Sequence, residues 1–138
     1  MADTTEFELV SPERLLISEP VEMVVVPGTE GDFGVLPGHA PFITTLRPGV
    51  ITVYENHQPK EAIFVAGGVA EVTQERCTVL AEEAIKIAET DRAAVEDRVR
   101  EARALFESCA EAERPAARRR VDIAEALMAA LDRGKSLT

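Results

Sequence analysis

The side chains best suited to chemistry in this chain are two histidines and two cysteines. His39 lies in a segment rich in Gly and Pro, His57 lies in a polar turn, and no cluster of further ligands accompanies either. A metal site needs several converging ligands, and a catalytic nucleophile needs an activating base beside it. Cys77 falls in a strand-like pattern and Cys109 on an apolar helix stripe, which favours structural thiols. The sequence therefore predicts no catalytic residue, no metal site and no cofactor.

Residues 31–41 are the next candidate, because glycine-rich loops can bind phosphate groups. The glycines in this segment do not follow the GxGxxG spacing, and the chain contains no GxxxxGK[ST] motif. Three Gly and two Pro in eleven residues exclude a helix. We predict a hairpin followed by a stiff connecting loop.

Arg118, Arg119 and Arg120 form the only run of basic residues. Asp122 and Glu125 lie nearby, so one interpretation is a solvated helix face with ion pairs between residues i and i+4. The other interpretation is a patch that meets an acidic protein surface. The residue types alone do not decide between these two interpretations.

Acidic charge is concentrated in the first part of the chain. Residues 1–90 hold five Lys or Arg and fifteen Asp or Glu, whereas residues 91–138 hold ten of each. This distribution argues against nucleic-acid binding, which needs a basic surface.

No apolar run approaches the roughly 20 residues that span a bilayer, so we expect no direct membrane insertion. The two cysteines and an N-terminus without signal-peptide features indicate a reducing, cytoplasmic compartment.

Turn residues punctuate the first part of the chain and are nearly absent from the second. Seven of the eight Gly and seven of the eight Pro lie at or before residue 68. Short apolar or alternating runs lie between them, as in β domains. These runs are residues 7–10, 15–18, 21–26, 42–46, 50–54, 62–65, 69–73 and 77–81. Eight to ten short strands at this spacing predict a sandwich or a flattened barrel.

After residue 90 the chain is rich in Ala, Arg and Glu, which favour helices. Thr90 or Asp91 is expected to cap a first helix, and Pro115 to break the pattern before a second. The apolar stripes comprise Val95, Val99, Ala102, Phe106 and Cys109, and then Ala117, Val121, Ala124, Met128 and Leu131. We predict an antiparallel hairpin with a thin apolar seam, and two domains, residues 1–88 and 89–138.

Several motifs occur in order along nearly the whole chain. They are Leu9-Val10-Ser11-Pro12-Glu13, Gly28-Thr29-Glu30-Gly31-Asp32-Phe33-Gly34-Val35-Leu36-Pro37-Gly38-His39-Ala40-Pro41, Leu46-Arg47-Pro48-Gly49, Val65-Ala66-Gly67-Gly68-Val69-Ala70-Glu71-Val72 and Thr78-Val79-Leu80-Ala81-Glu82-Glu83-Ala84. Together they resemble the epsilon subunit of bacterial F-type ATP synthases, the counterpart of the mitochondrial delta subunit. The resemblance implies a β-sandwich of about ten strands in two sheets, followed by a C-terminal antiparallel α-helical hairpin.

The resemblance also implies a function. Members of this family are non-catalytic central-stalk subunits of the rotor, which couples proton flow through the c-ring to ATP synthesis in the catalytic head. The sandwich would bind the gamma subunit and the c-ring, and the hairpin would reach the beta and alpha subunits, where it inhibits ATP hydrolysis in many bacteria. The expected location is the cytoplasmic face of the inner membrane, as a peripheral protein.

Two sets of residues match the family's contact regions. The first comprises Glu30, Asp32 and His39, which match the loop that approaches the c-ring. The second comprises Arg118, Arg119 and Arg120, our candidates for the contact between the hairpin and an acidic region of beta.

The alternative function is a nucleotide-sensing regulatory module, because some members of the family bind ATP. Their motif, Ile/Leu-Asp-x-x-Arg-Ala, matches residues 90–95 here. Asp91 is kept, but Ala94 and Val95 stand where the motif has Arg and Ala. We therefore expect weak ATP binding or none. A third class, an enzyme with a pocket in the β domain, finds no support in the inventory of nucleophiles, metal ligands and phosphate loops.

Overall fold

The computed structural model describes residues 3–136, with side chains described through residue 133. The first part of the chain forms ten β-strands. In chain order they are β1 Thr5–Val10, β2 Leu15–Val21, β3 Met23–Gly28, β4 Gly31–Val35, β5 Phe42–Leu46, β6 Gly49–Glu55, β7 Gln58–Val65, β8 Gly68–Val72, β9 Arg76–Ala81 and β10 Ala84–Lys86. The second part has a short 3-10 turn at Ile87–Glu89, then α1 Arg92–Ser108, a second 3-10 turn at Glu111–Glu113, and α2 Arg114–Ser136.

The strands are hydrogen-bonded in the order β10-β7-β6-β3-β5-β8-β9-β1-β2, with β4 paired to β3. The pairing of β1 with β9 is parallel, and the other pairs are antiparallel. The two halves of this path are joined where β3 meets β5, through the pair Gly28 and Leu46. The sheet is therefore mixed and continuous.

One buried cluster holds inward side chains from both halves of the path. Phe7, Leu9 and Val79 come from β1 and β9, and Ile51 and Val53 come from β6. In β6 buried and half-buried residues alternate, because successive side chains of a strand point to opposite faces. The sheet therefore folds back on itself around a shared core, and the predicted β-sandwich is confirmed.

Two prolines lie inside strands that we expected to end beside them. Pro20 belongs to β2, an edge strand, so its missing N–H removes no hydrogen bond from the ladder between strands. Pro59 belongs to β7 in the part of that strand that β10 does not reach, since β10 pairs only with residues 63–65. The run at 21–26 is divided at Glu22, which separates β2 from β3.

The two helices pack through the predicted apolar seam. Val99 and Ala102 of α1 form a buried cluster with Val121 and Ala124 of α2, and Phe106 and Met128 pack against it. Ion pairs flank the seam, from Arg92 to Asp132 and from Arg103 to Glu125, with N–O distances of 2.6 and 2.7 Å. The predicted hairpin is confirmed.

The start of α1 agrees with its predicted cap, whereas the start of α2 differs from the prediction. Asp91 is the N-cap of α1, and its carboxylate accepts a hydrogen bond from the backbone N–H of Ala93 at 3.2 Å, as predicted. Pro115 does not break the helical pattern. It lies in the first turn of α2, where a missing N–H costs no helical hydrogen bond, and the chain turns earlier, at residues 109–113.

The chain forms two compact units, residues 1–86 and 87–138. Each unit has a buried cluster of its own. In the part of the chain that the structure describes, neither helix is long and apolar enough to cross a membrane.

Candidate interaction surfaces

The two cysteines occupy different environments. Cys77 is fully buried in β9, and burial raises the pKa of its thiol to about 12, so the thiol stays protonated at neutral pH. Its predicted burial is therefore confirmed. Cys109 is half-buried at the C-cap of α1, where its Sγ lies 3.5 Å from the carbonyl oxygen of Phe106. No group of three or more potential metal ligands forms among the described side chains.

The β3–β4 hairpin contains two of the residues that match the c-ring loop. Glu30 lies with Thr29 in the exposed two-residue turn between the strands. Asp32 is the second residue of β4, and its carboxylate accepts a hydrogen bond from the guanidinium of Arg47. Arg47 also donates from Nη1 to the carbonyl oxygen of Gly28, at 2.6 Å. The carboxylate of Asp32 is thus already paired within the chain.

His39 lies in the loop between β4 and β5, among aromatic rings. Its ring centroid is 5.2 Å from that of Phe42, and Phe42 packs edge-on against Phe33 at 4.9 Å. The Nδ1 of His39 donates to the carbonyl oxygen of Ala40 at 2.7 Å. Because Asp32 and Phe33 are consecutive in β4, their side chains point to opposite faces. The structure therefore places the rings of His39 and Phe33 against Phe42, whereas Asp32 projects from the opposite face of β4 to Phe33.

The three consecutive arginines of α2 do not form one cluster. Arg118 pairs with Asp122 at 3.2 Å, and its guanidinium lies 5.8 Å from the centroid of the Phe106 ring. Arg120 lines a groove of about 300 Å³ between the helices, together with Arg98 and Glu101. Consecutive helical residues are separated by about 100°, so Arg119 points in a third direction. The ion pair of Arg118 agrees with the interpretation as a solvated helix face.

An exposed apolar row is the surface that the sequence did not reveal. It runs across five strands, because Thr45 pairs with Val69, Val69 with Leu80, Leu80 with Val10, and Val10 with Leu15. Paired residues project from the same face of a sheet. We call these five residues the apolar row.

Val10 is half-buried, and the other side chains of the apolar row are exposed to solvent. Leu15 and Leu80 are each 55% exposed, and Val69 is 38% exposed. Ile43, two residues before Thr45 on the same face of β5, is 67% exposed. The next row on that face is mostly polar, since Ile43 pairs with Glu71, Glu71 with Thr78, Thr78 with Glu8, and Glu8 with Ser18. Apolar side chains bordered by polar ones are typical of protein–protein interaction sites.

A comparison with family models decides to which protein family the chain belongs. Residues 4–87 match the model described as the ATP synthase delta/epsilon chain, β-sandwich domain. The chain belongs to the ATP synthase delta/epsilon family. The resemblance inferred from the ordered motifs is thereby confirmed.

Relatives within the ATP synthase delta/epsilon family match over nearly their whole length. The ATP synthase epsilon chain of Rhodospirillum rubrum is 60% identical over 131 residues, which cover 94% of this chain and 98% of the relative. The ATP synthase epsilon chain of Paramagnetospirillum magneticum is 50% identical over 132 residues, covering 95% and 99%. The chain therefore aligns with nearly the whole length of both relatives.

Solved structures agree with this family assignment. A chain in the Euglena gracilis mitochondrial ATP synthase, solved with OSCP, F1 and the c-ring, superposes with a TM-score of 0.80 at 30% identity, covering 95% of this chain and 83% of that one. A chain in the central stalk and c-ring of the Tetrahymena thermophila mitochondrial ATP synthase gives a TM-score of 0.60 at 15% identity, covering 92% and 96%. The second similarity supports the fold alone.

Proposed function

We propose that this chain is a non-catalytic central-stalk subunit of a proton-translocating F-type ATP synthase. In this role it couples proton flow through the c-ring to ATP synthesis on other subunits. The observation that carries the proposal is the match, at 60% identity and nearly full length, to a relative named ATP synthase epsilon chain. The proposed location is the cytoplasmic face of the bacterial inner membrane, with the protein held there by its partners.

The gamma subunit is the proposed partner of the apolar row. A rotor subunit needs a lasting attachment to the shaft, and lasting interfaces have an apolar centre with a polar rim. The row supplies the centre through Leu15, Val69 and Leu80. Glu8 and Arg76, which form an ion pair on the same face, lie within the polar border.

The c-ring is the proposed partner of the β3–β4 hairpin and of the loop that follows it, through Glu30, Asp32 and His39. Glu30 lies in the exposed turn at the end of this hairpin. Acidic side chains there would pair with basic residues in the polar loops of the ring, which would give orientation more than affinity.

Disulfide cross-linking tests this part of the proposal. Cysteine in place of Glu30, in the exposed turn, should cross-link to a cysteine in a polar loop of the c-ring in the assembled enzyme. The matched control is Gln58→Cys, in the β6–β7 hairpin. Because Tyr54 pairs with Met23, that hairpin lies at the opposite end of β3 from the Thr29-Glu30 turn. Equal yields at both positions, or no product at residue 30, would contradict the proposed orientation.

The helical hairpin is the proposed contact with the beta and alpha subunits, through Arg118, Arg119 and Arg120. Since these side chains point in different directions, a partner surface would meet only one or two of them at a time. The contact would limit ATP hydrolysis and weaken with added salt, because exposed charge pairs are screened.

A nucleotide-sensing role is the alternative, and we expect it to fail in a calorimetric titration. Arg92 is the basic residue within the altered motif, but its Nη1 donates to Asp132 at 2.6 Å and its Nε lies 3.6 Å from Glu96. A missing charge-assisted phosphate contact weakens binding by about ten- to a hundredfold. We therefore expect no micromolar binding of Mg-ATP to the isolated chain.

A matched variant tests the reason for this expectation. Ala94 is exposed in the first turn of α1, so Ala94→Arg restores the missing guanidinium without disturbing the seam. The variant should bind Mg-ATP more tightly than the unmodified chain. Micromolar binding by the unmodified chain would disprove the expectation.

A further inference from the structure

Arg47 links two parts of the sandwich that are distant in sequence. It lies between β5 and β6, and its guanidinium reaches the β3–β4 hairpin. Nη1 donates to the carbonyl oxygen of Gly28 at 2.6 Å, and Nη2 donates to the carboxylate of Asp32. The backbone N–H of Arg47 donates to the carbonyl oxygen of Pro27 at 3.0 Å. One residue thus contacts both strands of the hairpin, directly beside its turn.

The turn itself has further attachments to β5. The backbone N–H of Thr29 donates to the carbonyl oxygen of Thr45 at 3.0 Å, and the hydroxyl oxygens of the two threonines are also 3.0 Å apart. At Gly28 a Cβ atom would lie 2.9 Å from the carbonyl oxygen of Gly31 and 3.0 Å from the ring of Phe33. The base of the hairpin is therefore closely packed and is hydrogen-bonded to β5.

Arg47 also determines which acid at this hairpin is free to meet a partner. It pairs with Asp32, whereas Glu30 takes part in no ion pair within residues 3–133. The planar guanidinium donates two hydrogen bonds in fixed directions, which an ammonium group cannot reproduce. Of these two acids, Glu30 is therefore the one available to a partner, at a tip held in one orientation.

We propose that Arg47 is a positioning residue, which holds the β3–β4 hairpin so that the carboxylate of Glu30 is directed at the c-ring. Arg47 acts through Asp32 and Gly28 and makes no contact with the ring itself. The inference rests on the proposed function for the identity of the partner. The restraint on the hairpin is a property of the isolated chain and can be measured without the partner.

Hydrogen exchange of the isolated chain tests the restraint. Arg47→Ala should speed exchange of the Thr29 amide about five- to tenfold, since one anchoring hydrogen-bond system is lost. Asp32→Asn should speed this exchange by a smaller factor. In Arg47→Lys the Thr29 amide should exchange faster than in the unmodified chain and more slowly than in Arg47→Ala. The internal control is the amide of His57, which donates to Glu22 at 3.0 Å in the hairpin at the other end of β3. Its exchange should stay unchanged.

Cross-linking in the assembled enzyme tests the consequence for docking. In chains carrying Glu30→Cys, Arg47→Ala should lower the cross-linking yield to a c-ring loop cysteine about three- to tenfold, while affinity for gamma changes less than about twofold. Asp32→Asn should lower the yield too. The double variant should be no worse than Arg47→Ala alone, because both changes remove the same restraint.

The outcomes separate the inference from the proposed function. Unchanged exchange at Thr29 in Arg47→Ala would overturn the inference, whatever the cross-linking shows. Additive losses in the double variant would overturn it as well, because they would mean that Arg47 and Asp32 act independently of each other. Absence of any cross-link from Glu30→Cys in the otherwise unmodified chain would instead contradict the proposed c-ring contact.

Discussion

Leu80→Glu is expected to weaken binding to the gamma subunit at least about 100-fold while leaving the isolated chain folded. Leu80 lies at the centre of the apolar row, between Val69 and Val10. In a docked complex the introduced carboxylate would be buried without a partner, which costs several kcal/mol. In the free chain the side chain at this position is 55% exposed, so the stability of the fold should change by less than about 0.5 kcal/mol.

A titration of gamma with each variant gives the measurement. Leu80→Ala removes apolar contact without adding charge and should have a smaller effect, about tenfold. Leu36→Glu is the matched control, because Leu36 is 53% exposed and lies outside the apolar row. Unchanged affinity in Leu80→Glu would show that gamma binds a different surface.

Gly68→Ala is expected to destabilise the sandwich by about 3 kcal/mol or more. Gly68 has a φ of +142°, and a Cβ atom there would lie 2.0 Å from the carbonyl oxygen of Leu80. Only a shift of the β8 or β9 backbone could relieve this overlap, because the obstructing atoms belong to the main chain. Such incompatible backbone positions give the larger losses seen among single substitutions. Since β8 and β9 carry Val69 and Leu80, the apolar row would be disturbed as well.

Urea denaturation, followed by circular dichroism, measures this loss. The control is Gly38→Ala, at a φ of +83° with no atom within 4 Å of the added Cβ. That change introduces backbone strain alone and should cost about 1–2 kcal/mol. If the two variants lost equal stability, the close approach of Leu80 to Gly68 would not be the cause.

Local patterns were sufficient for most elements of the fold but not for its surface. The seam residues Val99 and Val121, and the cap at Asp91, follow from spacing and residue type. Leu80, by contrast, lies between the apolar residues Val79 and Ala81, so the pattern cannot say which side chain faces outward. Only pairing with strands distant in sequence brings the apolar row together.

The surroundings of the candidate contact residues could not be predicted from local patterns either. Asp32 was identified by its match to the family's c-ring loop, but its partner Arg47 lies 15 residues away and could not be assigned from spacing. The arginines 118–120 are adjacent in sequence yet diverge on the helix, because consecutive residues differ by about 100°. Pro115 is compatible both with a helix break and with a first helical turn, and only the chain reversal at 109–113 decides between them.

The central claim, that this chain is a non-catalytic coupling subunit of the rotor, is tested most directly by adding it back to ATP synthase particles stripped of their epsilon subunit. We expect the chain to rebind in a 1:1 ratio with gamma and to restore ATP synthesis driven by a proton gradient, while the chain alone hydrolyses no ATP. Failure to rebind, or ATP turnover by the isolated chain, would contradict the claim.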